Sequence, residues 1–421
     1  MPSILARVSP EAPRPASLRS QFAWVFSGHV LYGACQWAIL SLIAKLGDSE
    51  MLGRYALAVA VATPVAMLAH LNLRAVLSTD VERRHPFGDY LAVRLGAGLF
   101  GLAVVVAIAF ASGYPAPVAA LVAVMGLALS LENLSDLYYG LMQRREEMRL
   151  IAGSMIARGL LSATVLGIVL WLARSLLAAV SALVVVRIVL LAAYDRPAAS
   201  GGEDPRRSGI QAQWEILRAA LPLGAVLMLV SLTTNAPRYS VEHHLGVRSL
   251  GAFAAAASFA AAGAAVVNAM GHSATARLAR HFQRRDLAEF RHLVRRLVGL
   301  AAILGVAGVL GAAVFGRLAL RLAYRPEYEE HSALLVALMG AATAGYVAII
   351  LGFVVTSARS FAAQVPLLLI AAATSAAASW LLAPVMGLMG AALALAMAAS
   401  VQIGGQLLLL RRALRRAEAA A

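Results

Sequence analysis

The sequence predicts an all-α polytopic membrane protein of about 12 transmembrane helices in two six-helix bundles. Three observations predict it. Of 421 residues, 61% are hydrophobic and only 14% charged, against roughly 45–50% and 25% in soluble domains. The apolar residues fall into runs of about 20, the length needed to cross roughly 30 Å of hydrocarbon. A motif near the first hairpin returns near the seventh run, so the chain reads as two halves. This composition excludes a disulfide scaffold, a disordered chain and an ordinary soluble enzyme.

In chain order, the runs cover 21–45, 53–78, 90–112, 116–139, 150–172, 175–194, 214–237, 249–273, 294–315, 332–356, 360–383 and 387–410. Ser112-Gly113-Tyr114-Pro115 is a turn between two of them, and Pro384 with Gly387 marks the last hairpin. The first 20 residues have no apolar core, so the first span is expected to do the targeting, with no cleavable signal. Residues 1–20 form a terminal segment and 21–194 a first bundle. Residues 195–213, with Gly201, Gly202 and Pro205, read as a flexible linker. Residues 214–411 form a second bundle, within which 274–296 alternates Arg with Leu278, Phe282, Leu287, Phe290 and Leu293. That pattern predicts an amphipathic helix lying on the membrane surface. Residues 412–421 are the tail.

Orientation follows from the basic residues. Of 36, all but Lys45 are Arg, and the formal net charge is +15. With the N-terminus inside, the inner segments hold 24 basic residues and the outer segments 8. This bias predicts both termini on the cytoplasmic side of a cell membrane. The surplus therefore belongs to inner loops and an anionic substrate, and nucleic acid is not expected as a partner. Cys35 is the single cysteine and sits in an apolar run, which excludes an internal disulfide and a multi-cysteine metal site. No metal or cofactor is expected.

The repeat is specific. Leu46-Gly47 followed by Leu52-Gly53-Arg54-Tyr55-Ala56 is echoed by Leu245-Gly246 followed by Leu250-Gly251-Ala252-Phe253-Ala254. Each half has an even number of spans, so both enter the membrane in the same sense. Parallel repeats of this kind are associated with transporters.

Charges inside spans cost on the order of 2.5–3.5 kcal/mol each and must face a cavity or pair. Arg74, Arg94, Arg158 and Arg218 lie within spans, and Arg238 closes the seventh. Glu132 and Asp136, four apart, share one helix face, and Glu215 lies one turn from Arg218. The acids can serve as neutralising partners of Arg94 or Arg158, or as coupling groups. An Arg left without an acid in a wet cavity suits phosphate, because its planar fork makes paired charge-assisted bonds. His29 and His70 read as packing or cavity residues, and Asn235, Asn268 and Gln36 as cavity-lining or helix-bridging groups. His243-His244 lacks metal-site spacing. No phosphate loop of the GxxxxGK[ST] type, no HExxH and no GxSxG is present. No catalytic residue is expected.

Several strings together resemble bacterial polysaccharide-biosynthesis membrane proteins. These are the oligosaccharide flippases of the multidrug/oligosaccharidyl-lipid/polysaccharide (MOP) exporter superfamily. His70-Leu-Asn-Leu-Arg-Ala-Val-Leu-Ser-Thr-Asp80 with Phe87, Tyr90 and Arg94 is similar to their second and third spans. Glu132 to Gly159 resembles their fourth and fifth, Thr234 to Gly246 the start of their second half, and Pro384 with Gly387 to Ala394 their final hairpin. The resemblance implies a V-shaped fold that opens alternately to each side. It implies an undecaprenyl-diphosphate-linked oligosaccharide as substrate, an O-antigen, capsule or exopolysaccharide unit. It also implies a bacterial inner-membrane location, with lipids and other polysaccharide-assembly proteins as partners. Carried onto this chain, it points to Arg74 and Arg238 as diphosphate ligands, with Arg94 and Arg158 beside them. Glu132, Asp136, Arg218, Asn235 and His29 are left as cavity or coupling residues. The alternatives are a cation-coupled antiporter of the same superfamily, using Asp136, and a polymerase or ligase using the cluster Arg317, Arg321, Arg325 and His331.

Overall fold

The computed structural model describes residues 18–80, 82–199, 206–358 and 363–419. Residues 1–17 and 200–205, on which most of the N-terminal segment and part of the expected linker fall, lie outside the described residues, as do 420 and 421 at the tail.

The elements are helical throughout. In order they are α1 (Leu18–Leu46), α2 (Ser49–His70), α3 (Leu73–Thr79), α4 (Phe87–Ala111), α5 (Ala116–Arg144), α6 (Met148–Ala173) and α7 (Leu176–Leu190). α7 runs on through a π-turn at Leu191–Asp195 into α8 (Arg196–Ala199). Then come α9 (Ile210–Gln283), α10 (Leu287–Ala323), a 3₁₀ turn at Pro326–His331, α11 (Ser332–Ser357), α12 (Gln364–Met386) and α13 (Leu388–Ala419).

Among the described residues, 11 helices are long and apolar enough to cross a membrane. One of them, α9, carries two spans. An unbroken helix of 74 residues would extend about 110 Å at 1.5 Å per residue. Gly246 breaks it at φ 83° and ψ 167°, a conformation open to glycine because it lacks Cβ. The first arm is 210–245 and the second 247–283.

Local chemistry sets the helix ends. The Asp48 carboxylate accepts from the Met51 N–H at 2.7 Å and caps α2. The Ser175 hydroxyl accepts from the Ala178 N–H at 3.3 Å and caps α7. Pro115 precedes the first turn of α5, where its missing N–H costs nothing.

Two core regions show how the halves meet. Call the side carrying the Arg-rich turns the arginine-rich face. Near the opposite face, one cluster joins both bundles, with Leu52 and Tyr55 packed in the same core as Leu250, Phe253 and Tyr324. Near the arginine-rich face the bundles keep separate cores. Leu71, Phe87 and Tyr138 belong to one, with Ile216 and Ala220 at the start of α9 packed into it. Val267, Leu278, Phe290 and Val354 belong to the other.

The segment 274–296 differs from expectation. It is a helical hairpin continuing α9 and α10, with a turn at Arg284–Asp286. Leu278 and Phe290 are buried in the second bundle's core with Leu410. Burial against α11 and α13 outcompetes lying on a membrane surface. The linker also starts later than expected, because helix continues to Ala199.

Candidate functional site: a charged cleft between the two bundles

The closed end of the cleft is built by the repeat. Gly53 of α2 lies against the backbone of Val247, where an added Cβ would sit 1.9 Å from the carbonyl oxygen. Gly251 lies against Ser49, where the corresponding distance is 2.0 Å. The contacts are reciprocal: each repeat glycine meets the backbone four residues before its counterpart. The Arg248 Nε–H donates to the Ser49 hydroxyl at 3.0 Å across the same seam. The Arg325 guanidinium donates to the Lys45 carbonyl at 2.9 Å, and the Lys45 ammonium to Leu322 O at 2.7 Å.

Prolines free two further carbonyls, one at the seam and one within the second bundle. Pro64 has no N–H for the carbonyl of Ala60, four residues back, and the Tyr239 hydroxyl of α9 donates there at 2.5 Å. Pro237 likewise frees Thr233 O, which accepts from the Ser375 hydroxyl at 2.7 Å.

The other end is open along α1 and the second arm of α9. The Trp37 indole donates to the Ser258 hydroxyl at 3.2 Å and meets the Phe259 ring edge-on. Farther toward the arginine-rich face, Trp24, Phe26, Val30 and Leu31 of α1 are exposed, as is Val266 of α9.

Arg74 is only partly buried. Its Nε donates to Gln143 Oε1 at 2.8 Å and its Nη1 to Asp136 Oδ1 at 3.1 Å. Its guanidinium lies 5.7 Å from the Tyr139 ring centroid. His70 holds the other Asp136 oxygen at 2.9 Å. The Asn72 backbone N–H donates to His70 Nδ1 at 3.2 Å, so Nε2 carries the proton given to Asp136.

Arg94 is placed differently. Only 2% exposed, it donates from Nη1 to the carbonyls of His70 at 2.6 Å and Ala69 at 3.4 Å. Those carbonyls end α2, where Leu71 (φ 53°) and Asn72 (φ 49°) are left-handed. Arg94 thus caps a helix break and does not line the opening.

Arg158 is also withdrawn from the opening. Its Nη2 bonds Asp195 Oδ2 at 3.1 Å, and its Nη1 lies 4.0 Å from Glu132. Glu132 is paired with Arg187 at 3.1 Å and accepts from the Tyr32 hydroxyl. The Ser154 hydroxyl donates to Asp195 Oδ1 at 2.5 Å. Arg187, near the end of the run 175–194 and counted with the inner basic residues, and Asp195, the first residue of the expected linker, sit inside the first bundle, and Asp195 is fully buried. Their spacing of eight, two helical turns, was the available signal.

Arg238 lies near the closed end, beside the Tyr239–Ala60 contact. Its Nη1 donates to Asn235 Oδ1 at 3.1 Å, while its buried Nε has no partner. Asn235 in turn donates to Ser231 O at 2.9 Å. Among the described residues Arg238 has no ion pair. Arg218 is exposed, 5.1 Å from the Trp214 ring, on the arginine-rich face. His29 of α1 is exposed, its Nδ1 against Val25 O at 2.8 Å. Near the closed face, Arg321 pairs with Glu329 at 3.5 Å and His331 with Glu330 at 3.5 Å.

No protein-family model matches the chain. It is 26% identical over 375 residues to the capsular polysaccharide biosynthesis protein CapF of Staphylococcus aureus, covering 88% of this chain and 94% of that one. Among solved structures it is similar to an inward-facing multidrug resistance MATE family transporter of the MOP superfamily. The TM-score is 0.69 at 12% identity, over 95% of this chain and 96% of the other. The outward-facing conformation of a MATE family transporter of that superfamily gives 0.65 at 12% identity, over 94% and 96%. A MOP superfamily transporter from Pyrococcus furiosus, for which a reversed polarity of the binding pocket is described, gives 0.66 at 12% identity, also over 94% and 96%.

Proposed function

We propose that this chain, which has the fold of the MOP-superfamily transporters, flips an undecaprenyl-diphosphate-linked oligosaccharide from the cytoplasmic to the outer leaflet. The arginine-rich face is then cytoplasmic, both termini lie there, and the protein is a transporter without catalytic residues.

One observation carries this reading: how the buried charges are paired. Glu132, Asp136 and Asp195 are each bonded to Arg or His. Guanidinium groups occupy the places a transported or coupling cation would need. Arg238 keeps a buried donor without an acceptor, as do Arg94, Arg158 and Arg187, but unlike Arg158 and Arg187 it has no ion pair among the described residues. A cleft whose acids are spoken for and whose arginines retain donors favours an anion. A diphosphate-sugar head group is far too polar to cross hydrocarbon unaided. A wet cleft between two bundles lowers that barrier while the lipid tail stays in the bilayer. The likeness to a capsular polysaccharide biosynthesis protein agrees.

The test is flipping of a fluorescent undecaprenyl-diphosphate oligosaccharide by the purified protein in proteoliposomes. Wild type should move the lipid, and Arg74→Ala and Arg238→Ala should not. If wild type moves no diphosphate lipid and a proton gradient instead drives cation release that Asp136→Asn abolishes, the antiporter reading replaces this one.

A further inference from the structure

The closed seam holds a cavity apart from the cleft. Its volume is about 370 Å³, within the roughly 300–1,000 Å³ of small-molecule sites. Both bundles wall it. Ser49 comes from the start of α2, Arg248 from the start of the second arm of α9, and Glu327, Tyr328, Glu330 and His331 from the 3₁₀ turn before α11.

Tyr328 marks the cavity as a site. The residue is 1% exposed, and its ring packs on that of Tyr324 at 5.4 Å. Yet its buried hydroxyl has no hydrogen-bond partner among the described residues. An orphaned buried hydroxyl is costly. A ligand hydroxyl would relieve it, since both groups donate and accept. The neighbours keep capacity too. Arg248 uses its Nε, on the Ser49 hydroxyl at 3.0 Å, and its terminal nitrogens remain. Glu327 is exposed and has no ion pair among the described residues, whereas Glu329 pairs with Arg321. Glu330 meets His331 at 3.5 Å.

The chemistry of the occupant follows from this lining. Two carboxylates stand against one guanidinium and one imidazole, so net charge favours neither a cation nor an anion. Among the described residues no three His, Cys, Asp or Glu are grouped as a metal ion needs. Carboxylates accept from hydroxyls, and the guanidinium and the tyrosine hydroxyl donate to them. A neutral polyhydroxyl molecule satisfies all of these at once, and a saccharide is such a molecule.

Resting on the flippase reading above, under which the seam faces the outer side, we propose that this cavity binds saccharide of the transported kind and thereby holds the seam shut. Ser49 and Arg248 stand on opposite sides of the seam. They part when the outer end opens, so the complete site exists only in the closed form. A ligand of one form shifts the equilibrium towards it. At about ten times its Kd the ratio of open to closed form falls about 11-fold. Saccharide accumulating outside thus slows its own export.

The probe is the soluble oligosaccharide freed by mild acid from the lipid-linked substrate of the flipping assay. Calorimetry and the melting temperature of the purified full chain in detergent report its binding. Wild type should bind it and melt higher with it. Tyr328→Phe should bind about fivefold more weakly, the scale of one hydrogen bond. Without saccharide it should melt no lower than wild type, because its hydroxyl has no protein partner to lose. Glu327→Ala should bind about tenfold more weakly, the scale of a hydrogen bond to a charged group. Inorganic diphosphate should not compete, which separates this cavity from the arginines of the cleft. In proteoliposomes the probe should slow flipping by wild type, and Tyr328→Phe should need about fivefold more of it for the same fractional slowing. If wild type flips the lipid but neither binds the probe nor slows with it, this inference alone falls. It also falls if inorganic diphosphate displaces the probe, if bound probe leaves flipping unchanged, or if Tyr328→Phe binds as wild type does or melts lower without saccharide. If wild type binds the probe and flips no lipid, the flippase reading falls and the saccharide site stands. If it does neither, both fall.

Discussion

Gly53→Ala should open the closed end of the cleft. A Cβ at Gly53 would sit 1.9 Å from Val247 O, where ordinary contact begins near 3.4 Å. The neighbour is backbone, so no rotamer change relieves it, and α2 and the second arm of α9 must separate by about 1.5 Å. Overpacking of this kind costs roughly 1–3 kcal/mol. The cost falls on the conformation in which these helices touch and not on one in which they part. A shift of about 2 kcal/mol changes the ratio of the two conformations some 30-fold, since 1.4 kcal/mol is tenfold. Gly251→Ala should act alike, because its Cβ would meet Ser49 O at 2.0 Å. The assay is labelling by a membrane-impermeant maleimide of Ser49→Cys, placed in a Cys35→Ala background. Ser49 is 7% exposed in the closed seam, so it should be protected in the parent and labelled in either glycine variant. Gly98→Ala is the control, because nothing lies within 4 Å of its added Cβ. The reasoning is refuted if both seam variants keep Ser49→Cys protected and flip lipid at the parental rate.

Four further outcomes are expected. Arg94→Met should lower thermal stability of the purified protein, because the carbonyls of Ala69 and His70 lose their buried donor, at about 1–3 kcal/mol per unsatisfied group. Tyr239→Phe should destabilise by a similar amount by orphaning Ala60 O; an unchanged melting temperature would show that another donor reaches it. Glu132→Gln should cost more, about 3–5 kcal/mol, because it strips the carboxylate from Arg187 and weakens the charge balance at Arg158; thermal denaturation in detergent measures it. Asp136→Asn should retain flipping in proteoliposomes, since the amide oxygen can still accept from Arg74, whereas loss of flipping with intact folding would make the ionised carboxylate essential.

The residues show which levels of structure are written locally. Spans, turns and the two-bundle repeat were legible because the requirement to bury about 20 apolar residues acts on each segment alone. The break at Gly246 sits inside the repeat motif, so it too was visible as Leu245-Gly246. The strings from His70 to Asp80 and from Glu132 to Gly159 carried the family resemblance, and the MOP fold agrees with it. Pairings were not legible. Arg94 and Arg158 look like Arg74 in sequence, yet one caps a helix break and another sits in an acid network, because the neighbouring helices decide what each side chain meets. Sequence alone does not pair Arg187 with Glu132 or Asp195 with Arg158, since the partners are more than 25 positions away. The sequence alone determined where the long apolar runs fall and where the charges concentrate, since each run answers only to the hydrocarbon around it. Which arginines are paired with acids was decided by tertiary structure, because a charge is satisfied or left unpaired by groups that only folding brings within 4 Å.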